Sequence, residues 1–464
     1  MKILSKQTLF VLCGLLCFVF FACKTQPPER PGPEKPVEKG YSRVAFAEEL
    51  QRLLAAEKTD EALALFDTVP EWDASSLAIQ KLKLSILISA GYLDQATALA
   101  GELEKQYPAN ADILYIQSIL ASARKDSRAH IAYLNKTVQA DPGHSDAMAQ
   151  LGYDFLVKKN YKQAKNWLLK SIAANPENQE ALLYLARVYY MQEELSQAQS
   201  TLNLALQKNP ESDTLWAEMA RVKYDADDRA GALKDIQRAI SIDPNVYEYR
   251  IDCGLYLFNA GKLKDARVQF TEAIRIDPEQ FLAYIYRAGL NDDLGYKEEA
   301  ISDYKYICKI FPQYYYATEA LGVLLWEKKD YVGSFEAFKQ ALYYSPQNSS
   351  YALMMTLAYY QMNQPAEARN FMGKYIATLD RNTTEYYLCR MFAERTGDAD
   401  VLNRIMKETQ LHKRYQMLYY MAAYYDISKN KSLAQKTYNE VVAFERPTFF
   451  EYRLAAAALE TLGS

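Results

Sequence analysis

Small and large apolar residues return along this chain in a fixed order, 34 residues apart. With each unit numbered from 1 to 34, position 8 reads Gly152, Ala186, Ala220, Gly254, Ala288, Gly322 and Thr356. Position 20 is also small, with Ala164, Ala198, Ala232, Ala266, Ala300, Ser334 and Ala368. Position 24 is large, with Leu168, Leu202, Ile236, Phe270, Tyr304, Phe338 and Met372. Position 27 is mixed, alanine at 205, 239, 273 and 341 but Ser171, Ile307 and Tyr375 elsewhere. A period of this length predicts two helices joined by a turn, copied many times, with small residues letting the two approach and position 24 acting as a knob. Position 32 is proline at 108, 142, 176, 210, 244, 278, 312 and 346, which ends the second helix and restricts the residue before it.

The ends depart from this frame. Residues 77–110 read as a fair unit and 111–144 as a degenerate one, with His130 at position 20. Residues 43–70 read as a shorter first unit, and four extra residues before 77 predict a loose joint. Beyond Pro346, Asp380 stands where proline belongs and the unit from 383 is shortened around Gly397. A last unit spans 414–447, ending at Pro447. Residues 448–463 predict a final helix, apolar at Phe449, Phe450, Leu454 and Leu459 and polar at Glu451, Arg453 and Glu460, a half-wet piece that terminates a stacked core.

The agreement of spacing, small positions and large positions over consecutive units resembles the tetratricopeptide repeat family. That resemblance implies an all-α fold, a right-handed superhelix of about twelve helix-turn-helix repeats plus a C-terminal capping helix, whose first helices line a concave groove that binds another protein. The expected division is a leader at 1–22, a proline-rich tether at 23–40, N-terminal repeats at 41–110, a regular array at 111–382, degenerate repeats at 383–447 and the capping helix at 448–464.

The first residues change the picture. Lys2 and Lys6 precede an apolar run from Leu9 to Ala22, an export signal too short to span a bilayer comfortably. Phe20-Phe21-Ala22-Cys23 resembles the lipobox of bacterial lipoproteins, with Phe20 where the family usually has leucine; the resemblance implies lipid on Cys23 after cleavage. Residues 24–40 hold five prolines among charged residues, a tether that reaches up to about 50 Å at roughly 3.1 Å per residue. Lys24 lacks the acid that follows the lipidated cysteine in many inner-membrane lipoproteins, which favours the periplasmic side of the outer membrane. The expected location is therefore the bacterial cell envelope, with the membrane met through the lipid anchor. The formal net charge of −4 draws in no nucleic acid. Beyond the leader, Cys253, Cys308 and Cys389 give no disulfide framework and fall on helices, where a buried free thiol is expected.

Candidate chemistry is sparse. The three histidines, His130, His144 and His412, form no metal or catalytic set, and there is no phosphate loop, dinucleotide fingerprint or zinc-protease motif. No cofactor and no metal are expected, and Asp292-Asp293 reads as a solvated face. Lys158, Lys159, Lys162 and Lys165 read likewise.

Aromatic residues are abundant, with 38 tyrosines, and position 12 forms a ladder: Leu156, Tyr190, Tyr224, Phe258, Asp292, Trp326 and Tyr360. At about 100° per residue this position lies beside core position 8, so the ladder either faces the groove or fills the packed seam. Tyr153, Tyr316 and Tyr387 add rings at groove-side positions 9, 2 and 5. Tyrosine and tryptophan offer large contact area with a polar tip, which suits binding surfaces. The family's carboxylate-clamp pattern of lysine and asparagine is absent. Arg187 and Arg221, at position 9, remain able to meet an anion, with Glu218 close enough to pair with one of them.

The reading is a non-enzymatic envelope lipoprotein that scaffolds a protein or peptide partner. Its candidate contacts are Tyr153, Arg187, Tyr190, Arg221, Tyr224, Phe258, Tyr316, Trp326 and Tyr360. The alternative is a periplasmic binding module for a small hydrophobic ligand working with a membrane transporter.

Overall fold

The computed structural model describes residues 41–445 and 448–463, so the expected leader with Cys23, the tether and Pro447 lie outside the described residues. Among the described residues there are α-helices and two short 3-10 turns, with no strand. The chain forms two compact units, one ending at Asp227 and the other beginning at Asp228.

The first unit contains α1 (Arg43–Ala55), α2 (Thr59–Ala64), α3 (Glu71–Ala74), α4 (Leu77–Ser89), α5 (Leu93–Gln106), α6 (Ala111–Ala123), α7 (Ser127–Ala140), α8 (Ser145–Val157), α9 (Tyr161–Ala174), α10 (Gln179–Met191), α11 (Leu195–Lys208) and α12 (Asp213–Asp225). The second contains α13 (Arg229–Ile242), α14 (Tyr247–Asn259), α15 (Leu263–Ile276), α16 (Phe281–Asp293), α17 (Lys297–Ile310), α18 (Tyr315–Glu327), α19 (Tyr331–Tyr344), α20 (Ser349–Gln361), α21 (Pro365–Tyr375), α22 (Thr384–Glu394), α23 (Asp398–Met406), α24 (Leu411–Ile427), α25 (Lys431–Val442) and α26 (Phe450–Gly463). Within each unit consecutive helices pack on one another, as a stacked repeat requires.

Side-chain caps start several of the helices. Asn110, Asn178 and Ser212 cap first helices by accepting the backbone N–H three residues on, and Asp126, Asn160 and Asp330 do so for second helices. His144 is one of these caps: its Nδ1 accepts from the Ala147 N–H at 3.2 Å, and its ring lies 4.9 Å from that of Tyr115. Second helices end on an extended residue, such as Asp277 at φ −137° and ψ 94°, before the proline.

The small and large positions meet as complementary shapes. A Cβ added to Gly254 would stand 2.4 Å from Cε1 of Phe270, one on Gly322 2.8 Å from Phe338, and one on Gly152 2.5 Å from Leu168. The position-20 alanines 164, 198, 266, 300 and 368 are fully buried. A further periodic feature has no fixed residue type. Position 15 takes left-handed backbone at Glu57, Gly91, Lys125, Lys159, Glu193, Asp227, Gly261, Gly295, Lys329 and Asn363, with φ between +57° and +79°. This turn separates the helices of each pair.

That turn also corrects the N-terminal boundary. Glu57 and Gly91 keep the 34-residue step, so no residues are inserted before 77, and α3 occupies the stretch expected to be loose. The joint is tied by Asp73, which is buried and accepts from the Tyr41 hydroxyl at 2.7 Å and from Arg43 Nε at 2.9 and 3.0 Å. Toward the C-terminus the left-handed residues after Asn363 are Arg395, two residues early, Gly397 at φ +85°, in step with the period, and then Lys429. There first helices touch beyond the neighbouring pair: α20 meets α22 and also α24, two pairs on, and α22 meets α24. Residues 351–358 of α20 and 417–425 of α24 are consequently buried all round, in one core running from Val323 to Ala455.

Candidate interaction surfaces

In the first unit α10 and α12 bring four of the candidate residues together. Arg187 directs Nε and Nη2 onto Glu218 Oε1 at 2.9 and 2.6 Å, and Arg221 Nη1 reaches Glu218 Oε2 at 3.3 Å. Glu218 therefore pairs with both arginines and is itself buried. Tyr190 donates its hydroxyl to Asp225, and burial followed by that bond pushes the phenol up to about 12. Tyr190 and Tyr224 are half-buried. The cluster sets two guanidinium groups beside two carboxylates of the same chain. Tyr153 of α8 is 36% exposed, and its ring lies 4.7 Å from that of Tyr184 on α10.

The second unit separates its candidates. Phe258 on α14 is 42% exposed and Tyr316 at the start of α18 is 56% exposed, the latter beside Tyr314 and Tyr315. Trp326 and Tyr360 are half-buried and pack against the C-terminal core. Trp326 meets Tyr331 edge-on at 5.1 Å, and the Arg395 guanidinium lies 5.5 Å above the Tyr360 ring. The position-12 ladder is thus neither wholly groove nor wholly seam: its second-unit members range from the exposed Phe258 to the packed Trp326. Tyr387, the added ring at position 5, is half-buried beneath Arg404, whose guanidinium lies 3.8 Å from the ring centre.

Asp292, the acid in the ladder, is not a solvated residue. It accepts from Arg453 of α26, Oδ2 from Nη1 at 2.6 Å and Oδ1 from Nη2 at 2.9 Å. The same guanidinium bonds Glu327 on α18 through Nε and, at 2.7 Å, through Nη2. Lys297 completes the group at 2.7 Å from Glu327. Burial alone would raise the Glu327 carboxyl, yet the bonds from Arg453 and Lys297 hold it below its ordinary range. Asp293 is raised, first by burial and then by the neighbouring Asp292 charge.

The final helix is likewise not polar toward water at every charged position. Glu451 is fully buried, accepting from Ser350 Oγ at 2.6 Å and from the Tyr420 hydroxyl at 3.0 Å through Oε1, and from Gln416 Nε2 at 3.4 Å through Oε2. Burial pushes its carboxyl up to about 7 in spite of these donors. Leu454 and Ala455 are buried beside it, and the Phe450 ring lies 5.7 Å from that of Phe338. Arg453, Glu451 and Glu327 escaped sequence reasoning. The available signal was Asp292, an acid in an aromatic register, together with the charges Glu451 and Arg453 at the start of a largely apolar helix.

His130 places Nδ1 2.8 Å from the Ser118 carbonyl and Nε2 3.6 Å from Asp154. Among the described residues no cluster of three or more histidine, cysteine or carboxylate side chains is arranged to hold a metal ion. Cys253 and Cys389 are buried and Cys308 is half-buried, all three as free thiols. No described helix is long and apolar enough to cross a membrane.

Comparison with known proteins agrees with this construction. No curated protein matches the sequence. Among solved structures, YrrB, described as a tetratricopeptide repeat protein with an unusual peptide-binding site, is 20% identical, with 40% of this chain and 96% of that one covered and a TM-score of 0.34. PilF of Pseudomonas aeruginosa is 18% identical, with 44% and 92% covered and a TM-score of 0.40. A tetratricopeptide repeat protein of Parabacteroides merdae is 14% identical, with 69% and 99% covered and a TM-score of 0.34. Family profiles of the tetratricopeptide repeat match residues 158–222, 218–281 and 251–315, so that repeat is recognised in the middle of the chain.

Proposed function

We propose that this chain is a non-enzymatic scaffold of the bacterial cell envelope that binds a protein or extended peptide through aromatic residues on the first helices of its repeats. The observation that carries the reading is the exposure of Tyr153, Phe258 and Tyr316 on first helices of a repeat array. Exposed aromatic rings bury a large area at low ordering cost when a partner arrives. The envelope part rests on the sequence from Lys2 to Cys23, with lipid on Cys23 as anchor and residues 24–40 as tether.

A photocrosslinking residue placed in cells at Tyr153, Phe258 or Tyr316 is expected to capture a discrete protein band. The same residue at Lys162, an exposed site on the second helix α9, is expected to capture none. Equal capture at all four sites, or none at the three aromatic sites, refutes the surface assignment. Metabolic labelling with a fatty-acid analogue should mark the wild type and not Cys23→Ala; labelling that survives the substitution removes the anchor.

A further inference from the structure

We infer that the first-helix side of the second unit is a receptor for an amphipathic helix presenting an arginine beside apolar residues, and that α26 is its resting occupant. The inference rests on the scaffold reading and specifies the partner's chemistry.

One short helix is received by several elements distant in sequence. Phe450 meets α19, Arg453 meets α16 and α18, and Glu451 meets α20 and α24. Phe450, Arg453 and Leu454 are related as i, i+3 and i+4, the spacing by which a helical ligand anchors in a groove. A helix serving only to end the stack needs an apolar face toward the last pair. This one packs on α24 and α25 of the last pair and in addition carries a buried carboxyl and a guanidinium fork into a seat on earlier repeats.

Such polar groups are a poor device for stability alone. Well-packed hydrophobic residues in place of a buried ion pair are often neutral or stabilising, whereas paired charges discriminate strongly against the wrong partner. The receptor side is acidic once α26 is set aside: Asp292, Asp293 and Glu327 stand there, and Lys297 bonds Glu327. Two carboxylates from different helices accept from one planar donor set, a geometry that suits arginine over lysine. Asp292 also interrupts a ladder that is otherwise apolar or aromatic, and its interruption coincides with the arginine of α26. Arg453 keeps 36% of its side chain exposed, so the ionic part of the seat is open to exchange at its rim.

The test uses the full chain and, as probe, a fluorescent synthetic peptide of residues 448–464. Wild-type protein, with its seat filled, should bind the peptide weakly. Arg453→Glu sets a third acid against Asp292 and Glu327. It should lower the hydrogen-exchange protection of α26 at least tenfold and bind the peptide at least tenfold more tightly, at one peptide per chain. A peptide carrying the same Arg453→Glu change should not bind. The full-chain variant Asp292→Asn with Glu327→Gln should loosen α26 without gaining affinity. Should circular dichroism show that Arg453→Glu unfolds the second unit, Arg453→Lys, which keeps the charge and loses the fork, replaces it with an expected gain of about threefold.

Three results overturn the inference. The first is α26 protection unchanged by the substitution at 453. The second is a loosened α26 with no gain in peptide binding. The third is a concentration-dependent dimer that excludes the peptide, which would make a second copy the occupant. Failure of crosslinking at Tyr153, Phe258 and Tyr316 with peptide binding intact would instead refute the scaffold surface and leave this receptor standing.

Discussion

Glu451 makes the seating of the final helix dependent on pH, and the sign follows from its surroundings. The carboxyl sits at about 7 in the folded chain against an ordinary value of 4.5, because burial outweighs the hydroxyl of Ser350, the hydroxyl of Tyr420 and the amide of Gln416 that favour its ionised form. Its folded value is raised. Below about pH 4.5 both the folded and unfolded chains hold the proton, and above about 7 neither does. Between these limits only the folded chain holds it, so stability falls as pH rises, by about 1.4 kcal/mol per pH unit. The full interval amounts to about 3 kcal/mol, a sizeable part of the roughly 5–15 kcal/mol that holds a typical domain folded. Glu451→Gln keeps a neutral group of the same shape and removes the titration. Urea unfolding of both proteins between pH 4.5 and 8 is the assay, because other groups titrate equally in the two and cancel in the difference. The wild type should lose about 3 kcal/mol relative to the variant across this range. Parallel curves would show that Glu451 is not desolvated in the native state. A wild type that gains on the variant with rising pH would show that the three donors outweigh burial.

Three further outcomes test the packing. Gly254→Ala places a methyl within 2.4 Å of Phe270; overpacking costs of about 1–3 kcal/mol exceed the roughly 1 kcal/mol that alanine gains in a helix, so the variant should be less stable in a urea melt. Adding Phe270→Leu should recover most of the loss, and a neutral single variant would refute the close approach. Lys329→Gly relieves left-handed backbone at φ +62° and should raise the melting temperature, by about 1 kcal/mol of stability in the same assay; a lower melting temperature would refute that turn geometry. In thiol titration at pH 8, half-buried Cys308 should react before Cys253 and Cys389, and slowly, since burial pushes the Cys308 thiol up to about 11; faster reaction of Cys389 would contradict its complete burial.

The helix pairing was legible in the sequence because its determinants are close together and size-specific. Position 8 meets position 24 only sixteen residues later, and Gly254 opposite Phe270 or Gly322 opposite Phe338 leaves few alternatives for either residue. The turn at position 15 was hidden for the opposite reason. Left-handed backbone costs a non-glycine residue about 1–2 kcal/mol, which the packing of a repeat can bear, so the chain tolerates Lys159, Glu193, Asp227 or Asn363 there as well as Gly261. Residue type did not repeat even though conformation did. The ladder was ambiguous because position 12 lies at the boundary between core and surface, and its neighbours decide each case separately. Phe258 stays exposed, whereas Trp326 and Tyr360 are covered by the closure of the C-terminal helices.

Contacts made between exceptions follow a different logic from those made by the repeat. A period can encode only what each unit does to the next, and Arg453 joins Asp292 across 161 residues and Glu327 across 126. Asp292 has no acidic counterpart one period away, Glu327 has Asp293, and Arg453 stands on the final helix outside the repeat frame, so no register argument could have paired them. Each nevertheless carried a visible cost in its own setting: an acid in an aromatic ladder, and an arginine and a glutamate on an apolar helix. Half-buried charges persist only when something compensates them; Lys297 does so in part for Glu327, and Asp292 takes its bonds from Arg453. Two uncompensated charges of opposite sign on different elements of one chain are therefore candidates for each other before they are candidates for a ligand. In this protein both readings converge, because the element that satisfies the acids has the form of a ligand: a helix, anchored at i, i+3 and i+4, seated on the side of the repeats where a partner is expected.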